Sequence, residues 1–508
     1  MQPIAGCLRR CERHRFTLFE IFGEGPARCG HTLSLPDFHA PFVNSRQEFR
    51  GRFPDIDMSE PTSRAASSAL YRAVWRWHFF AGLLILPFVI ILAVTGGIYL
   101  FKDEINDAAY SQYRFVPVSD SPMLAPSEIT AAALTAHPGT LKSYGPPAAE
   151  DRSALVKIVG EDGLKDTLYV DPYTGAVLGS QWDGGAAGSP AMYVVRKLHS
   201  LEYVGWLGNR IIEGAAGWMV LLVASGIYLW LPRGRKVGTV SIKAKRGRPW
   251  WRDLHAVTGL YTGVFIVFLA MTGLPWSSVW GGNFYDYAYQ LGLGMPDGYW
   301  SNKPVSSVPV EDAVDRAPWI MEKQPMPLSG AAEGVPQGLD TVVATVERLG
   351  IVPGYAVSMP NGPEGVFSAS VYPDDITGER VIHLDQYTGE VLYDAGLNDL
   401  GALGWAAEWG ISIHMGQAFG LANQIILLLA CAAMVMLCVS AAVMWWKRRP
   451  AGSIGAPQVP ADWRIPRTLL VMGIAAGIFF PLVGLSMLVL AAIEVVIYLT
   501  NKRRLQAA

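Results

Sequence analysis

Four histidines recur at matching positions in this chain. His78 lies 17 residues before Thr95-Gly96 and His255 lies 17 before Thr272-Gly273, while His199 and His414 each precede a tryptophan, Trp230 and Trp445, by 31. An imidazole can give one nitrogen to a metal while the other keeps a hydrogen bond, and two imidazoles facing across a gap are what a six-coordinate haem iron needs. A single histidine near a membrane surface ordinarily serves as a hydrogen-bonded anchor. Four at equivalent positions, beside segments where ionisable groups are costly, argue for a shared task. Paired as His78 with His255 and His199 with His414, they would hold two b-type haems, each bis-histidine. The chain has no Cys-x-x-Cys-His, so attachment would not be covalent.

The neighbours suit the same chemistry. Arg76, Arg252 and the Arg196-Lys197 pair stand close in sequence to His78, His255 and His199 and would neutralise haem propionates. Arg76 and Arg252 serve equally well as charged anchors at the membrane surface. Gly82, Gly259, Gly205 and Gly420 would let a flat ring approach the backbone, although close helix packing explains them as well. Met415 is a poor axial ligand, because its counterpart beside His199 is Ser200.

Helices must carry these residues. Of 508 residues, 51% are hydrophobic and only 17% charged, more apolar surface than one soluble core requires. The apolar residues gather in four runs, Trp75–Leu100, Arg210–Leu231, His255–Trp276 and Asn423–Trp446, each long enough for a hydrocarbon layer of about 30 Å. The segment between the second and third runs is rich in Lys and Arg, as is Lys447-Arg448-Arg449, which places both in the cytoplasm. The long segments 102–198 and 277–413 are then exported. Basic residues flank both ends of the apolar stretch 467–500, which favours a hairpin of two helices turning near Pro481 and Gly484 over one long helix. None of the five cysteines falls in an exported segment, so no disulfide is expected there. Residues 1–57 read as a disordered leader or a mis-called start, with Cys and His spacing that matches no regular zinc pattern.

Compared with itself, the chain shows one unit used twice. Leu168-Tyr-Val-Asp-Pro-Tyr-Thr-Gly-Ala-Val-Leu178 parallels Ile382-His-Leu-Asp-Gln-Tyr-Thr-Gly-Glu-Val-Leu392. Each reads as a hairpin whose turn opens on Asp171 or Asp385, with Gly175 or Gly389 free to take positive φ. A helical pattern lies upstream of each, at Pro126–Ala136 and Leu339–Leu349. The expected exported module is therefore a helix on a small antiparallel sheet, with no nucleophile and base arranged for catalysis.

Trp77-His-Phe-Phe-Ala-Gly-Leu83, Trp251-Arg-Asp-Leu-His-Ala-Val257, Ile413-His-Met-Gly-Gln-Ala-Phe-Gly-Leu-Ala-Asn-Gln424 and Met444-Trp-Trp-Lys-Arg-Arg-Pro450 resemble the PepSY-associated transmembrane helix family over about residues 70–500. The resemblance implies an α-helical integral membrane protein with α+β exported domains. Two repeats of helix, PepSY-like domain and helix would form a four-helix core, followed by a C-terminal membrane hairpin or helix. The expected order is 58–101 cytoplasmic N-terminus and first span, 102–198 first periplasmic domain, 199–231 second span, 232–253 basic loop, 254–276 third span, 277–413 second periplasmic domain, 414–446 fourth span, 447–466 linker and 467–500 hairpin or helix. It also implies haem ligation by His78, His199, His255 and His414 and a role in bacterial iron uptake.

These readings combine as an inner-membrane electron carrier that reduces ferric siderophore iron held between two periplasmic domains. Fe(II) is a softer ion than Fe(III), so a hard oxygen-donor siderophore holds it less tightly. The chain shows no flavin or nucleotide motif, so a quinol or a separate reductase must supply electrons. Its partners would be the lipid bilayer, the donor and the iron complex, with no nucleic acid. Two rivals stand beside this reading. Repeated halves also describe a permease, and PepSY-like modules also suggest a regulator of peptidases.

Overall fold

The computed structural model describes residues 63–231, 239–295, 305–314, 316–330, 334–450, 455 and 467–507; the leader 1–57, the start of the basic loop and most of the 447–466 linker lie outside them. The first half runs α1 (Ser63–Tyr99), α2 (Lys102–Ala109), α3 (Ser111–Arg114), α4 (Pro126–Ala136), β1 (Gly139–Gly145), β2 (Ala154–Gly160), β3 (Lys165–Val170), β4 (Val177–Trp182), α5 (Pro190–His199) and α6 (Trp206–Trp230). The second half runs α7 (Gly247–Gly273), α8 (Trp280–Gln290), β5 (Val305–Pro309), α9 (Val310–Ala313), β6 (Pro325–Pro327), α10 (Leu339–Arg348), β7 (Ala356–Ser358), β8 (Val366–Val371), β9 (Arg380–Asp385), β10 (Val391–Gly396), α11 (Ala402–His414) and α12 (Gly420–Arg448). It is followed by α13 (Arg467–Phe479) and α14 (Pro481–Ala507).

Among the described residues, four stretches are long and apolar enough to cross a membrane: Leu70–Tyr99, Trp206–Trp230, Gly247–Trp276 and Gly420–Arg448. A helix suits them because it satisfies its own backbone groups where no water is present. They pack in a ring, α1 against α6, α6 against α7, α7 against α12 and α12 against α1, so that α1 faces α7 across the middle. Small and medium side chains fill the centre, among them Ala81, Ile85, Ala93, Ala215, Ile266 and Cys431. The last apolar stretch is a hairpin broken at Phe480-Pro481, and its second helix runs to Ala507, well past the 13-residue first arm. The hairpin leans on α6, where Trp218 Nε1 donates to Ser486 Oγ at 3.0 Å.

The sheet departs from the expected pair of separate modules. Eight antiparallel strands form one sheet in the order β10-β9-β8-β7-β1-β2-β3-β4. Its two halves join at Ser143 opposite Ser358 and Tyr144 opposite Val357. The reason is local: β1 and β7 each open a meander, and either strand left alone would expose an unpaired edge. Helices α4 and α10 lie side by side on one face, tied where Ser127 Oγ donates to Asp340 Oδ2 at 2.6 Å. They bury Ile129, Ala133, Val342 and Val346 against Val156, Leu168, Phe367 and Ile382.

The opposite face carries a polar row crossing every strand. Tyr393, His383, Ser368, Ser358, Ser143, Lys157, Thr167 and Gln181 are successive cross-strand partners. The hairpin turns are built as expected. Asp171 Oδ1 accepts from Tyr173 N at 2.8 Å, Asp385 Oδ1 accepts from Tyr387 N at 2.9 Å, and Gly175 and Gly389 take φ of 72° and 70°.

Candidate functional site

The four histidines fall into two pairs at opposite ends of the ring. His78 on α1 and His255 on α7 face each other across the bundle, their ring centroids 6.4 Å apart and their planes at 89°. His199 ends α5 and His414 ends α11, two short helices that fold back onto the bundle. Ser189 caps α5 by accepting from Met192 N, and Pro190 opens the helix, which fixes where His199 ends it. Asn423 Nδ2 holds the end of α11 through Ile413 O at 2.9 Å. His199 and His414 are close enough to interact electrostatically. The 17-residue spacing from His78 to Thr95 corresponds to about 25 Å of helix between the two levels.

Each imidazole is held in the same way. His78 Nδ1 lies 2.8 Å from Ser225 Oγ, His255 Nδ1 3.0 Å from Ser440 Oγ, His199 Nδ1 3.0 Å from Thr95 Oγ1, and His414 Nδ1 2.9 Å from Thr272 Oγ1. Every one of these hydroxyls donates its own proton to a carbonyl one turn back in its helix: Leu222, Leu437, Ile91 and Phe268 respectively. With its proton committed there, the hydroxyl can only accept from the histidine. Nδ1 therefore carries the ring proton, and Nε2 keeps its lone pair. That is the tautomer of a metal-ligating histidine whose other nitrogen is fixed by a supporting group.

The spacing fits as well. Metal–imidazole bonds run about 2 Å, so an iron between two rings sets their centres roughly 6 Å apart. Glycines clear the rings. A Cβ at Gly96 would stand 3.1 Å from His199 Cε1, one at Gly273 3.4 Å from His414 Cε1, and one at Gly226 3.4 Å from His78 Cε1. Gly82 and Gly259, singled out in the sequence, pack instead near Leu222 and Leu437, and Gly205 and Gly420 face open space. Among the described residues no group of three or more His, Cys, Asp or Glu side chains could hold a free metal ion. The residues present fit a bis-histidine haem at the His78–His255 level, and the donor set is the same at the His199–His414 level.

The expected cationic neighbours differ in what they do. Arg252 pairs with Asp253 at 2.8 Å, and Arg76 lies over the Phe80 ring at 5.0 Å. Lys197 pairs with Glu202. Arg196 lies 5.7 Å from the Tyr193 ring centroid, and its buried Nε has no hydrogen-bond partner among the described residues. Met415 packs with the apolar cluster around Tyr285 and Trp319. Glu213, a rare acid inside a span, is 4% exposed, and its carboxylate accepts from Val279 N at 2.8 Å and Trp280 N at 3.1 Å, which caps α8. Sequence reasoning missed Ser225 and Ser440, although each stands five residues before the repeat tryptophans Trp230 and Trp445.

Four membrane-capable helices, two histidine pairs and a sheet-rich α+β part define a helical membrane protein built around paired imidazoles. The family model of the PepSY-associated TM region matches residues 75–448, and the chain belongs to that family. No curated protein matches the sequence.

Proposed function

We propose that this protein is a bacterial inner-membrane electron carrier. It holds one b-type haem between His78 and His255 near the cytoplasmic side and another between His199 and His414 near the periplasmic side. It delivers electrons to ferric siderophore iron outside. The four Nδ1–hydroxyl bonds carry the reading, because they leave all four Nε2 atoms as ligands and recur at equivalent places in both halves. This recurrence, with the duplicated hairpin sequence, supports descent of the halves from one repeated unit. When bound, the haems supply one-electron transfer across the bilayer.

The chain's own residues do the rest. Ser225, Ser440, Thr95 and Thr272 orient the ligands, Arg196 receives an anionic group, and the apolar centre around Ile85 and Ile266 excludes water between the two levels. A quinol or a separate reductase supplies the electrons. The iron complex docks on the periplasmic sheet domain rather than between two modules, because β1 and β7 close that gap.

The test is an absorption spectrum of the detergent-purified protein, oxidised and dithionite-reduced, for wild type and for His78→Ala, His199→Ala, His255→Ala and His414→Ala. The expected result is sharp reduced b-type bands that fall by about half on loss of either pair, in line with one bis-histidine haem per pair. A wild type that stays colourless after expression in haem-fed cells overturns the reading.

A further inference from the structure

A group of buried carboxyls is centred on α11, the helix that His414 ends, and has no part in ligation. Glu408 stands on α11 six residues before His414 and is 0% exposed. Its carboxyl accepts from the Tyr372 hydroxyl at 3.2 Å and from Ile320 N at 3.4 Å. Glu379 is 2% exposed, and neither of its oxygens has a partner among the described residues. The two carboxyls are close enough to repel each other. Two such groups in a shared dry pocket cannot both ionise cheaply.

The pair connects outward and inward. Glu379 borders an open cleft of about 500 Å³ with Thr377, Arg380, Asp394 and Asp399, its carboxyl oxygens buried behind the rim. On the other side, Ser412 follows Glu408 by one helical turn and precedes His414 by two residues. It is 0% exposed, and its hydroxyl has no partner among the described residues. Gln417 just beyond is also buried with an unpartnered Oε1. Buried polar atoms left open in this way are the places where ordered water sits. The equivalent position six residues before His199 is Tyr193, packed against Trp182, so the first half has an aromatic ring where Glu408 stands in the second.

We propose that Glu408 and Glu379 form a proton-loading pair for the His199–His414 site. When an electron arrives there, one proton enters from solvent through the cleft at Glu379 and converts a carboxylate of the pair to the acid. When the electron leaves, that proton is released. The electron comes from the quinol or reductase already named; one O–H bond forms per electron, and the net charge of the buried region stays constant. The inference rests on haem binding at that pair.

The surroundings support a group poised to exchange. Burial pushes Glu408 up to about 7. Burial and then the charge of Glu408 hold Glu379 well above the usual carboxylate range. Glu322, facing Glu408, is pushed up to about 8 by burial, then by Glu408 and Glu311, against the pull of Lys323 and Arg196. The charge of Arg316 acts on Tyr372 against the upward push of burial, Glu408 and Glu379. An added negative charge at the neighbouring site raises the affinity of this set for a proton.

The experiment is spectroelectrochemistry of the haem-loaded protein between about pH 6 and 9, on wild type, Glu408→Gln, Glu379→Gln and the exposed-loop control Glu161→Gln. One of the two haem potentials is expected to fall as pH rises, approaching about 59 mV for each tenfold change in proton activity. The other haem should stay nearly flat. Glu408→Gln and Glu379→Gln should flatten the sloping potential, and Glu161→Gln should leave it unchanged. The proposal is overturned by two pH-independent haems in wild type, or by a slope that survives both glutamine variants. Absence of haem bands in wild type overturns the electron-carrier reading itself, which separates the two failures.

Discussion

Ser225 Oγ lies 2.8 Å from His78 Nδ1, although the two residues are 147 positions apart in the chain and on different helices. The bond ties α6 to α1 and at the same time decides which ring nitrogen is free. It has a counterpart at Ser440 and His255, and threonines do the same work for the other pair. A buried hydroxyl that accepts from one ring nitrogen is a small feature, yet under the proposed function it would turn an apolar bundle into a ligand frame.

Removing that hydroxyl should weaken haem retention without unfolding the bundle. Ser225→Ala, Ser440→Ala, Thr95→Val and Thr272→Val each leave the imidazole in place but free its tautomer and orientation. Loss of such a supporting partner costs about 10- to 100-fold in metal affinity. Haem titration of the purified variants measures it. Affinities equal to wild type for all four would mean that the hydroxyls are packing groups only.

Gly96 gives a steric version of the same test. Its Cβ position is 3.1 Å from His199 Cε1, tighter than a side chain normally sits, so Gly96→Val must push the ring off its bond to Thr95. The expected outcome is loss of about half the haem absorbance with the sheet domain still folded, as judged by circular dichroism. A full haem complement in this variant would show that the ring can move without consequence.

The pairing of the histidines could be read from the sequence because matching spacings set them against one another, and the spans because hydropathy marks them. Thr95-Gly96 and Thr272-Gly273 were visible only as landmarks of the repeat. Their contact with His199 and His414 depends on α5 and α11 folding back, which no local pattern encodes. Ser225 and Ser440 were hidden for a related reason, since a serine near a helix end reads as ordinary packing until its partner helix is placed. The joining of the sheet was equally silent. Pairing of Ser143 with Ser358 links segments more than 200 residues apart, whereas hairpin signals speak only of neighbouring strands.

Glu213 illustrates a buried acid whose role is structural. Its carboxylate caps α8 through Val279 N and Trp280 N. Glu213→Leu leaves both half-buried donors without their partner, at up to roughly 1–3 kcal/mol for each unsatisfied group. Thermal unfolding in detergent should show a lower midpoint, and Glu213→Gln should recover part of it. An unchanged midpoint in Glu213→Leu would mean that water replaces the carboxylate.

The C-terminal hairpin offers a separate prediction. A Cβ on Gly217 would stand 2.7 Å from Val483 and 3.2 Å from Phe480, so Gly217→Val forces the hairpin away from α6. Trp218 then loses Ser486, and its fluorescence should shift as its surroundings change. The haem spectrum should stay close to that of wild type, because the hydroxyls that hold the four imidazoles, Ser225, Ser440, Thr95 and Thr272, all lie outside the hairpin. A spectrum that collapses with the hairpin would make it part of the cofactor frame.

The carboxyl pair also predicts how stability depends on pH. Burial raises Glu408 in the folded protein to about 7 from an ordinary value near 4.5. Between those limits the unfolded chain has released its proton and the folded chain still holds it. Raising the pH therefore favours unfolding through that window. Stability from this group is fully present below about pH 4.5, declines toward pH 7 and then levels off. Glu322, raised to about 8, and Glu379, held well above the usual range by burial and the charge of Glu408, lose stability through the same window and carry the decline to higher pH. Glu408→Gln, which keeps the shape of the protonated acid, should make the decline shallower in detergent melts, while the exposed-loop variant Glu161→Gln should follow wild type. A Glu408→Gln protein that loses stability with pH as steeply as wild type would mean that Glu408 is ionised in the fold, and the proton-loading pair would then lack its inner member.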